Sequence, residues 1–167
     1  TRKKVTKVQV NMGEPIFKSK DLPSIEGEEI AKDIYIEVDG EKYRFTAVSM
    51  RNPHAVTFVE DVDNIPFNVI GSKVENSPLF PHKTNVEFVE IRDKEHIKMR
   101  VWERGTGETL ACGTGASASV VAAGVNGYVN HKVNVELLGG NLQIDWKDDN
   151  HVYMTGPAET VFTGEIV

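Results

Sequence analysis

The sequence predicts an α+β fold in which mostly antiparallel strands wrap around one buried central helix. Short runs that alternate apolar and polar residues dominate the chain, and glycine, aspartate and asparagine separate them. Only two segments have helical character. One of them, residues 115–125, is rich in Ala, Ser and Val and is apolar on nearly every side. A helix of that kind is normally buried, so we expect it in the core.

Length and charge restrict the classes of protein that the chain can belong to. Its 167 residues fit one domain, or at most two small ones, and are enough to form a core. A net charge of −6 and a pI near 5.4 argue against general binding to nucleic acid or to anionic membranes. The single cysteine permits no internal disulfide, and residues 1–5 lack the apolar segment of a signal peptide. We therefore expect a cytoplasmic domain with no nucleic-acid or membrane partner.

In the first half of the chain, the alternating runs predict four strands and one hairpin. The Asp39-Gly40 pair lies between two of these runs and supplies the positive-φ turn that tight hairpins prefer. A turn is expected over residues 11–15, after the first strand. The expected strands are residues 5–10, 34–38, 43–48 and 54–59.

In the second half, residues 85–91 and 97–102 are expected to form a second hairpin around residues 93–95. Four short strands follow at 133–138, 142–146, 152–155 and 160–163, and Gly-Gly and Asp-Asp-Asn turns join the first three. The first helix is predicted over residues 65–74, with Pro66 in its first turn and a polar capping segment at 61–64. The second helix, 115–125, is expected to end at Gly124 or Gly127.

Cys112 lies in a glycine-dense turn directly before the second helix. A thiol at a helix N-terminus has its thiolate stabilised by unpaired backbone N–H groups and by the helix dipole. The same donors can hold a substrate carboxylate, so chemistry on a carboxylic acid is the leading idea. The alternative is that Cys112 is a small buried apolar residue, as most free cysteines are.

The residues around Cys112 resemble a known family. The run ERGTGETLACGTGA at residues 103–116 closely resembles the second cysteine motif of diaminopimelate epimerase. Further matching segments occur in the family's order: MGEP at 12–15, NPHAV at 52–56, TNVEF at 84–88 and GPA at 156–158. One departure is Arg51, where the family usually has glycine. The resemblance spans essentially this whole chain but only the second half of that enzyme.

The resemblance implies an isomerase without a cofactor that interconverts LL- and meso-diaminopimelate, a step toward lysine and cell-wall precursors. One thiolate removes the α-proton and a second thiol delivers a proton to the opposite face. This chain would supply one thiol, and the absent first half, as a partner, would supply the other. Residues 1–156 would form the C-terminal-type domain, and residues 157–167 a terminal strand that packs on the first domain. A homodimer is also possible. We therefore expect the chain alone to be incomplete as an enzyme.

The resemblance also implies roles for individual residues. Cys112 is the acid/base thiol, Glu103 is its partner carboxylate, and His54 attends the cysteine of the other half. A second set binds the substrate, either at its far end or, through backbone N–H groups, at its reacting carboxylate. These residues are Asn52, Asn85, Glu103, Arg104, Gly113 and Thr114.

Each of these residues also has an ordinary interpretation when it is considered alone. His54 follows Asn-Pro and suits a surface turn, the two asparagines suit turns, and Glu103 with Arg104 suits an exposed ion pair. The other four histidines show no metal-ligand spacing, so we expect no metal site. Two further functions stay open as alternatives: a proline-type racemase, and a non-catalytic module of the same fold that binds a small carboxylate.

Overall fold

One ten-stranded sheet and two helices account for most of the described chain, which covers residues 5–166 of a computed structural model. The strands are β1 (Lys7–Gly13), β2 (Ile34–Val38), β3 (Glu41–Ser49), β4 (Pro53–Phe58), β5 (Asn85–Ile91), β6 (His96–Glu103), β7 (Gly107–Thr109), β8 (Lys132–Leu137), β9 (Gly140–Trp146) and β10 (Val152–Pro157). The helices are α1 (Phe67–Glu75) and α2 (Gly113–Val125). The predicted sheet-rich α+β class is confirmed.

The sheet order is β1-β10-β9-β8-β6-β5-β4-β3-β2, and the short strand β7 pairs with β6. All neighbours are antiparallel except β4 with β5 and β6 with β8. The parallel β4–β5 pair matters for the site. Both strands begin at the same end of the sheet, and β6, antiparallel to β5, ends there.

Both predicted hairpins are present. β2 pairs with β3 through a turn in which Asp39 has φ 54° and Gly40 has φ 87°, the positive values that the Asp-Gly pair predicts. β5 pairs with β6 in full register from Val86 and Trp102 to the turn. The Gly-Gly and Asp-Asp-Asn segments join β8 to β9 and β9 to β10, also as predicted.

Both helices differ from the prediction at their N-termini. α1 begins two residues later than expected, and its first turn has no side-chain cap; instead, Asp61 accepts hydrogen bonds from the Asp63 N–H at 2.9 Å and from the Asn64 side chain. The polar segment therefore forms its own turn before the helix. α2 begins two residues earlier than expected, because Cys112 is its N-cap.

The C-terminus of α2 follows the prediction that placed a stop at Gly127. Gly127 has φ 73°, and its N–H donates to the Gly124 carbonyl at 2.9 Å, while the Tyr128 N–H donates to the Ala123 carbonyl at 2.9 Å. These two hydrogen bonds form a Schellman motif, in which glycine tolerates the left-handed backbone. Gly124 itself lies within the helix.

Three differences concern strands. β1 continues through Gly13, so residues 11–13, expected in a turn, belong to the strand, and its register with β10 shifts there. Residues 158–166 contain no strand, so the strand expected over 160–163 is wrong within this chain. Val161 and Phe162 are 89% and 84% exposed, and a strand without a neighbour has no ladder bonds to hold it. Conversely, β7 lies in what the sequence suggests is a continuous turn. Its three residues are too few to show a period-2 pattern.

The core lies on both faces of the sheet because successive strand residues point in opposite directions. One cluster surrounds α2 and includes Val56, Val89 and Val101. The other surrounds α1 and includes Phe67, Phe88 and Ile70. Within α2, residues 115–123 are buried, and the helix packs against β3, β4, β5, β9 and β10. Among residues 5–166, no helix is both long and apolar enough to cross a membrane.

Candidate active site

The sheet topology brings four separate sequence segments to one place. Asn52 and His54 lie at the start of β4, Asn85 at the start of β5, and Glu103 at the end of β6. In the register, His54 lies opposite Asn85 across the parallel pair, so both side chains are on the α2 face. The N-terminus of α2, with Cys112, arrives at this same end of the sheet.

Cys112 is the N-cap of α2, with extended backbone angles of φ −139° and ψ 111°. Its Sγ accepts a hydrogen bond from the Gly115 N–H at 3.3 Å and lies 3.5 Å from the Thr114 hydroxyl. The side chain is half-buried, which excludes the reading of Cys112 as a fully buried apolar residue. A thiol in this position can both ionise and reach a ligand.

Opposing effects act on the acidity of Cys112. Burial raises the pKa of the thiol, and the nearby carboxyl groups of Glu87 and Glu103 raise it further. Hydrogen bonds from Thr114 and Gly115 lower it, and the net direction is upward. The sequence predicts only the stabilising helix N-terminus; it does not show the two carboxyl groups that the fold places beside the sulfur.

The first turn of α2 can bind an anion. The N–H groups of Gly113 and Thr114 stand before the first intrahelical bonds, and they are not used within the helix. The helix dipole adds partial positive charge at the same place. The substrate-carboxylate role predicted for these two residues has suitable donors, and it stays a prediction.

His54 is fully buried, so the alternative of a surface histidine is wrong. Its Nδ1 lies 2.6 Å from Glu87 Oε1, and its Nε2 lies 3.0 Å from Asn52 Oδ1. The amide nitrogen of Asn52 donates to the Thr114 hydroxyl at 3.2 Å. His54 and Asn52 are thus joined to the Cys112 site through this chain's own residues.

Glu87 is the functional residue that sequence reasoning missed. It is fully buried, its Oε2 has no hydrogen-bond partner among the described residues, and burial raises the pKa of its carboxyl. Gly115 makes room for it: a Cβ there would lie 2.8 Å from Glu87 Oε1 and 3.2 Å from Cys112 Sγ. The one available signal was its place two residues after Asn85, on the same strand face.

Glu103 and Arg104 lie at the end of β6 but point to different partners. Glu103 Oε1 accepts a hydrogen bond from the Thr109 hydroxyl of β7 at 2.6 Å, and the side chain is half-buried near Cys112. Arg104 is exposed and donates to the His82 carbonyl at 3.1 Å. Within residues 5–166 no carboxylate forms an ion pair with its guanidinium, which leaves it able to bind one.

Asn85 is buried and serves the backbone. Its Oδ1 accepts from the Arg104 N–H at 2.9 Å, and its Nδ2 donates to the Pro53 carbonyl at 3.2 Å. Asn85 therefore ties the start of β4 to the end of β6. The structure brings it to the site, with a structural role in addition to the predicted binding role.

The side chains of the remaining histidines lie at or near the surface. His82, His96 and His131 are exposed, and His151 is half-buried. In the part of the chain that the structure describes, no group of three or more His, Cys, Asp or Glu side chains could hold a metal ion.

Comparison with known proteins extends the same picture. Residues 46–161 match the family described as diaminopimelate epimerase. Diaminopimelate epimerase of Acetivibrio thermocellus is 54% identical over 95% of this chain, and that of Methanococcus maripaludis is 54% identical over 98%. The chain belongs to the diaminopimelate epimerase family. It spans 57% and 59% of the length of these two relatives.

Solved structures share the fold at low sequence identity. A probable proline racemase from Agrobacterium radiobacter superposes with a TM-score of 0.66 over 97% of this chain and 54% of its own, at 13% identity. A hydroxyproline epimerase from Agrobacterium vitis gives 0.61 over 91% of this chain and 50% of its own, at 14% identity. These likenesses place the family's fold beside that of proline racemase and say nothing further about this site.

Proposed function

We propose that this chain carries one of the two thiol half-sites of a diaminopimelate epimerase and interconverts LL- and meso-diaminopimelate only together with the other half. The observation that carries the proposal is Cys112 as the N-cap of α2, with its sulfur accepting from the Gly115 N–H in the first turn of the helix. The relatives that match most of this chain are named for that activity and are longer than it. No cofactor such as pyridoxal phosphate is required by this scheme.

The chemistry follows from the position of the thiol. A carboxylate bound at Gly113 and Thr114 places its α-carbon near the Cys112 sulfur. The thiolate removes the α-proton, and the negative charge that develops on the carboxylate is stabilised by the same N–H groups. Inversion needs a second acid on the opposite face, because a single base returns its proton to the face it came from. That second thiol belongs to the first half of the enzyme.

The polar rim is suited to a substrate with a second charged end. Arg104 can hold the distal carboxylate with two parallel hydrogen bonds, and Asn52 and Asn85 can accept from the distal ammonium group. Glu103, at the end of β6, can exchange a proton with Cys112, because the fold places its carboxyl group near the thiol at the start of α2. We assign these four residues to binding and acid/base support of the Cys112 half-site.

The finer architecture belongs to the same proposal. We take α2 as the central helix around which the strands wrap, residues 1–156 as the C-terminal-type domain, and 157–167 as the segment that packs on the first domain. His54 would attend the cysteine of that domain. Lysine biosynthesis in the cytoplasm is the setting that this activity implies, with a homodimer as a possible assembly.

Hydrogen exchange at the α-carbon tests the proposal directly. The 167-residue chain is incubated with diaminopimelate in D₂O, first alone and then with the remaining part of the Acetivibrio thermocellus enzyme. We expect no interconversion of stereoisomers by the chain alone, and turnover with deuterium incorporation in the mixture. Cys112→Ala should abolish this turnover, while Ala111→Ser, at the exposed neighbouring residue, should retain it.

Three outcomes would contradict the proposal. Interconversion by the chain alone would show that one thiol suffices. A mixture that binds diaminopimelate but neither exchanges nor inverts it would favour the carboxylate-binding module instead. Turnover of proline in place of diaminopimelate would favour the proline-type racemase.

A further inference from the structure

A continuous series of side chains links the buried Glu87 to the Cys112 sulfur. Glu87 Oε1 lies 2.6 Å from His54 Nδ1, and His54 Nε2 lies 3.0 Å from Asn52 Oδ1. Asn52 Nδ2 donates to Thr114 Oγ1 at 3.2 Å, and Thr114 Oγ1 lies 3.5 Å from Cys112 Sγ. We call this series the Glu87 chain. None of the roles described above uses Glu87.

The two possible directions of the Glu87 chain differ in what they offer the sulfur. When Cys112 is a thiolate, it can only accept, so the Thr114 hydroxyl donates to it and accepts from Asn52. Asn52 Oδ1 then faces His54, whose Nε2 must carry a proton. One further proton lies in the hydrogen bond between His54 Nδ1 and Glu87 Oε1. In the opposite direction, the thiol donates to Thr114, the Asn52 amide is turned over so that its oxygen accepts from the Thr114 hydroxyl, and its nitrogen donates to a His54 Nε2 that has no proton.

The burial of Glu87 favours the first direction. In the opposite direction, Glu87 is a carboxylate that accepts from the Nδ1–H of a neutral imidazole, so the buried pair carries a net negative charge, and its Oε2 has no partner in a site that water does not reach. A buried charge with an unsatisfied oxygen is costly. In the first direction, the Glu87–His54 pair shares one proton and has no net charge. Gly115, whose Cβ would crowd Glu87 Oε1, keeps the carboxyl directly beneath the first turn of α2.

We propose that Glu87 is a positioning residue: through His54 and Asn52 it fixes the direction of a hydrogen-bond chain that ends with the Thr114 hydroxyl donating to the Cys112 thiolate. The inference deepens the proposed function, because it concerns the same thiol. Its test measures only the ionisation of Cys112, so it succeeds or fails independently of turnover.

Two variants separate the charge of Glu87 from its hydrogen bond. Glu87→Gln and Glu87→Leu both remove the carboxyl, but only glutamine can donate to His54 Nδ1 and keep the proton on Nε2. The charged or titratable groups that bear on Cys112 are Glu87 of β5, Glu103 of β6 and, beside Glu87, His54 of β4. The last two are unchanged between the variants, so any difference reports the hydrogen bond.

The readout is the rate of Cys112 alkylation by iodoacetamide as a function of pH, in the 167-residue chain, where this is the single cysteine. The midpoint reports the pKa of the thiol, and the plateau at high pH reports its accessibility. Below the midpoint, we expect Glu87→Leu to react about three- to tenfold more slowly than Glu87→Gln, as one hydrogen bond predicts. In a Thr114→Val background, the two variants should have equal midpoints.

Equal midpoints for Glu87→Gln and Glu87→Leu with Thr114 present would overturn the proposal, as would a difference that persists in Thr114→Val. ¹⁵N NMR of the His54 ring gives a second test that needs no core variant, and it decides the matter if Glu87→Leu does not fold. A proton on Nε2 is expected in the unmodified chain at a pH where Cys112 is ionised. An Nε2 without a proton under those conditions would overturn the assignment.

Discussion

Gly115→Ala is the smallest substitution that tests how tightly the site is packed. A Cβ at Gly115 would lie 2.8 Å from Glu87 Oε1, 3.2 Å from Cys112 Sγ and 3.3 Å from Cys112 Cβ. Glu87 cannot easily move away, because it is fully buried and bound to His54. The added methyl group must therefore displace the carboxyl group, the thiol or the first turn of α2.

The balance of two effects gives the expected magnitude. Alanine is favoured over glycine in a helix by up to about 1 kcal/mol, and less in the first turn. Overpacking of a dense interior costs about 1–3 kcal/mol. We therefore expect Gly115→Ala to lower the free energy of unfolding by about 1–2 kcal/mol, as the difference between the two.

Gly124→Ala is the matched control, because it makes the same change in the same helix. There, a Cβ would lie 3.5 Å from the Trp146 ring, which is ordinary contact, so the helix preference for alanine should leave stability unchanged or raise it. Urea unfolding gives the free energy of unfolding of both variants, and the rate of alkylation by iodoacetamide as a function of pH gives the reactivity of Cys112 in each. A Gly115→Ala chain as stable as Gly124→Ala, with an unchanged alkylation profile, would refute the packing argument.

Three further predictions follow from the fold. Gly71→Ala should lower the free energy of unfolding by about 1–3 kcal/mol in urea, because its Cβ would lie 2.7 Å from Trp102 Cγ. Burial opposes the ionisation of Glu75, but hydrogen bonds from Trp102 and Gly105 hold the pKa of its carboxyl below the ordinary value of 4.5. Glu75→Gln should therefore lower the free energy of unfolding by about 1–3 kcal/mol at pH 7. In urea titrations, this difference should disappear as the pH falls below 4.5, because the carboxyl of the unmodified chain then becomes protonated. Burial and nearby carboxyl groups raise the pKa of Cys112. The rate of its alkylation should therefore continue to increase with pH beyond the pH at which the rate for an ordinary thiol levels off.

Local chemistry made much of the fold predictable. The Asp39-Gly40 pair fixed a hairpin, and Gly127 ended α2, because each requires a backbone conformation that few residues adopt. The start of α1 was not predictable in the same way. The carboxylate of Asp61 can accept hydrogen bonds either from a preceding turn or from the first N–H groups of a helix, and in the structure it accepts from the turn. The prediction of a strand over 160–163 was wrong for another reason. An alternating pattern is compatible with a strand, but the strand forms only when a neighbouring strand supplies its hydrogen bonds.

The candidate site was predictable only in part. Cys112 could be placed at a helix N-terminus from the glycines around it. The burial of His54 and its pairing with Glu87 could not be predicted, because they depend on β4 and β5 lying parallel and in one register. Residues 85–91 alternate in a way that suggests an exposed polar face, but α2 covers that face, so the carboxyl group of Glu87 is buried.

The completeness of the Glu87 chain has a consequence for how two halves would meet. The hydrogen-bond partners and carboxyl groups that the structure places around Cys112 all belong to this chain, so this part of its environment is in place before any partner arrives. His54 is different, because both of its ring nitrogens are already engaged, by Glu87 and Asn52. To attend a cysteine of another domain, His54 must exchange its Asn52 contact for that thiol, while Glu87 holds Nδ1. That exchange would release Asn52 from the chain and so would make the ionisation of Cys112 sensitive to the arrival of the second thiol.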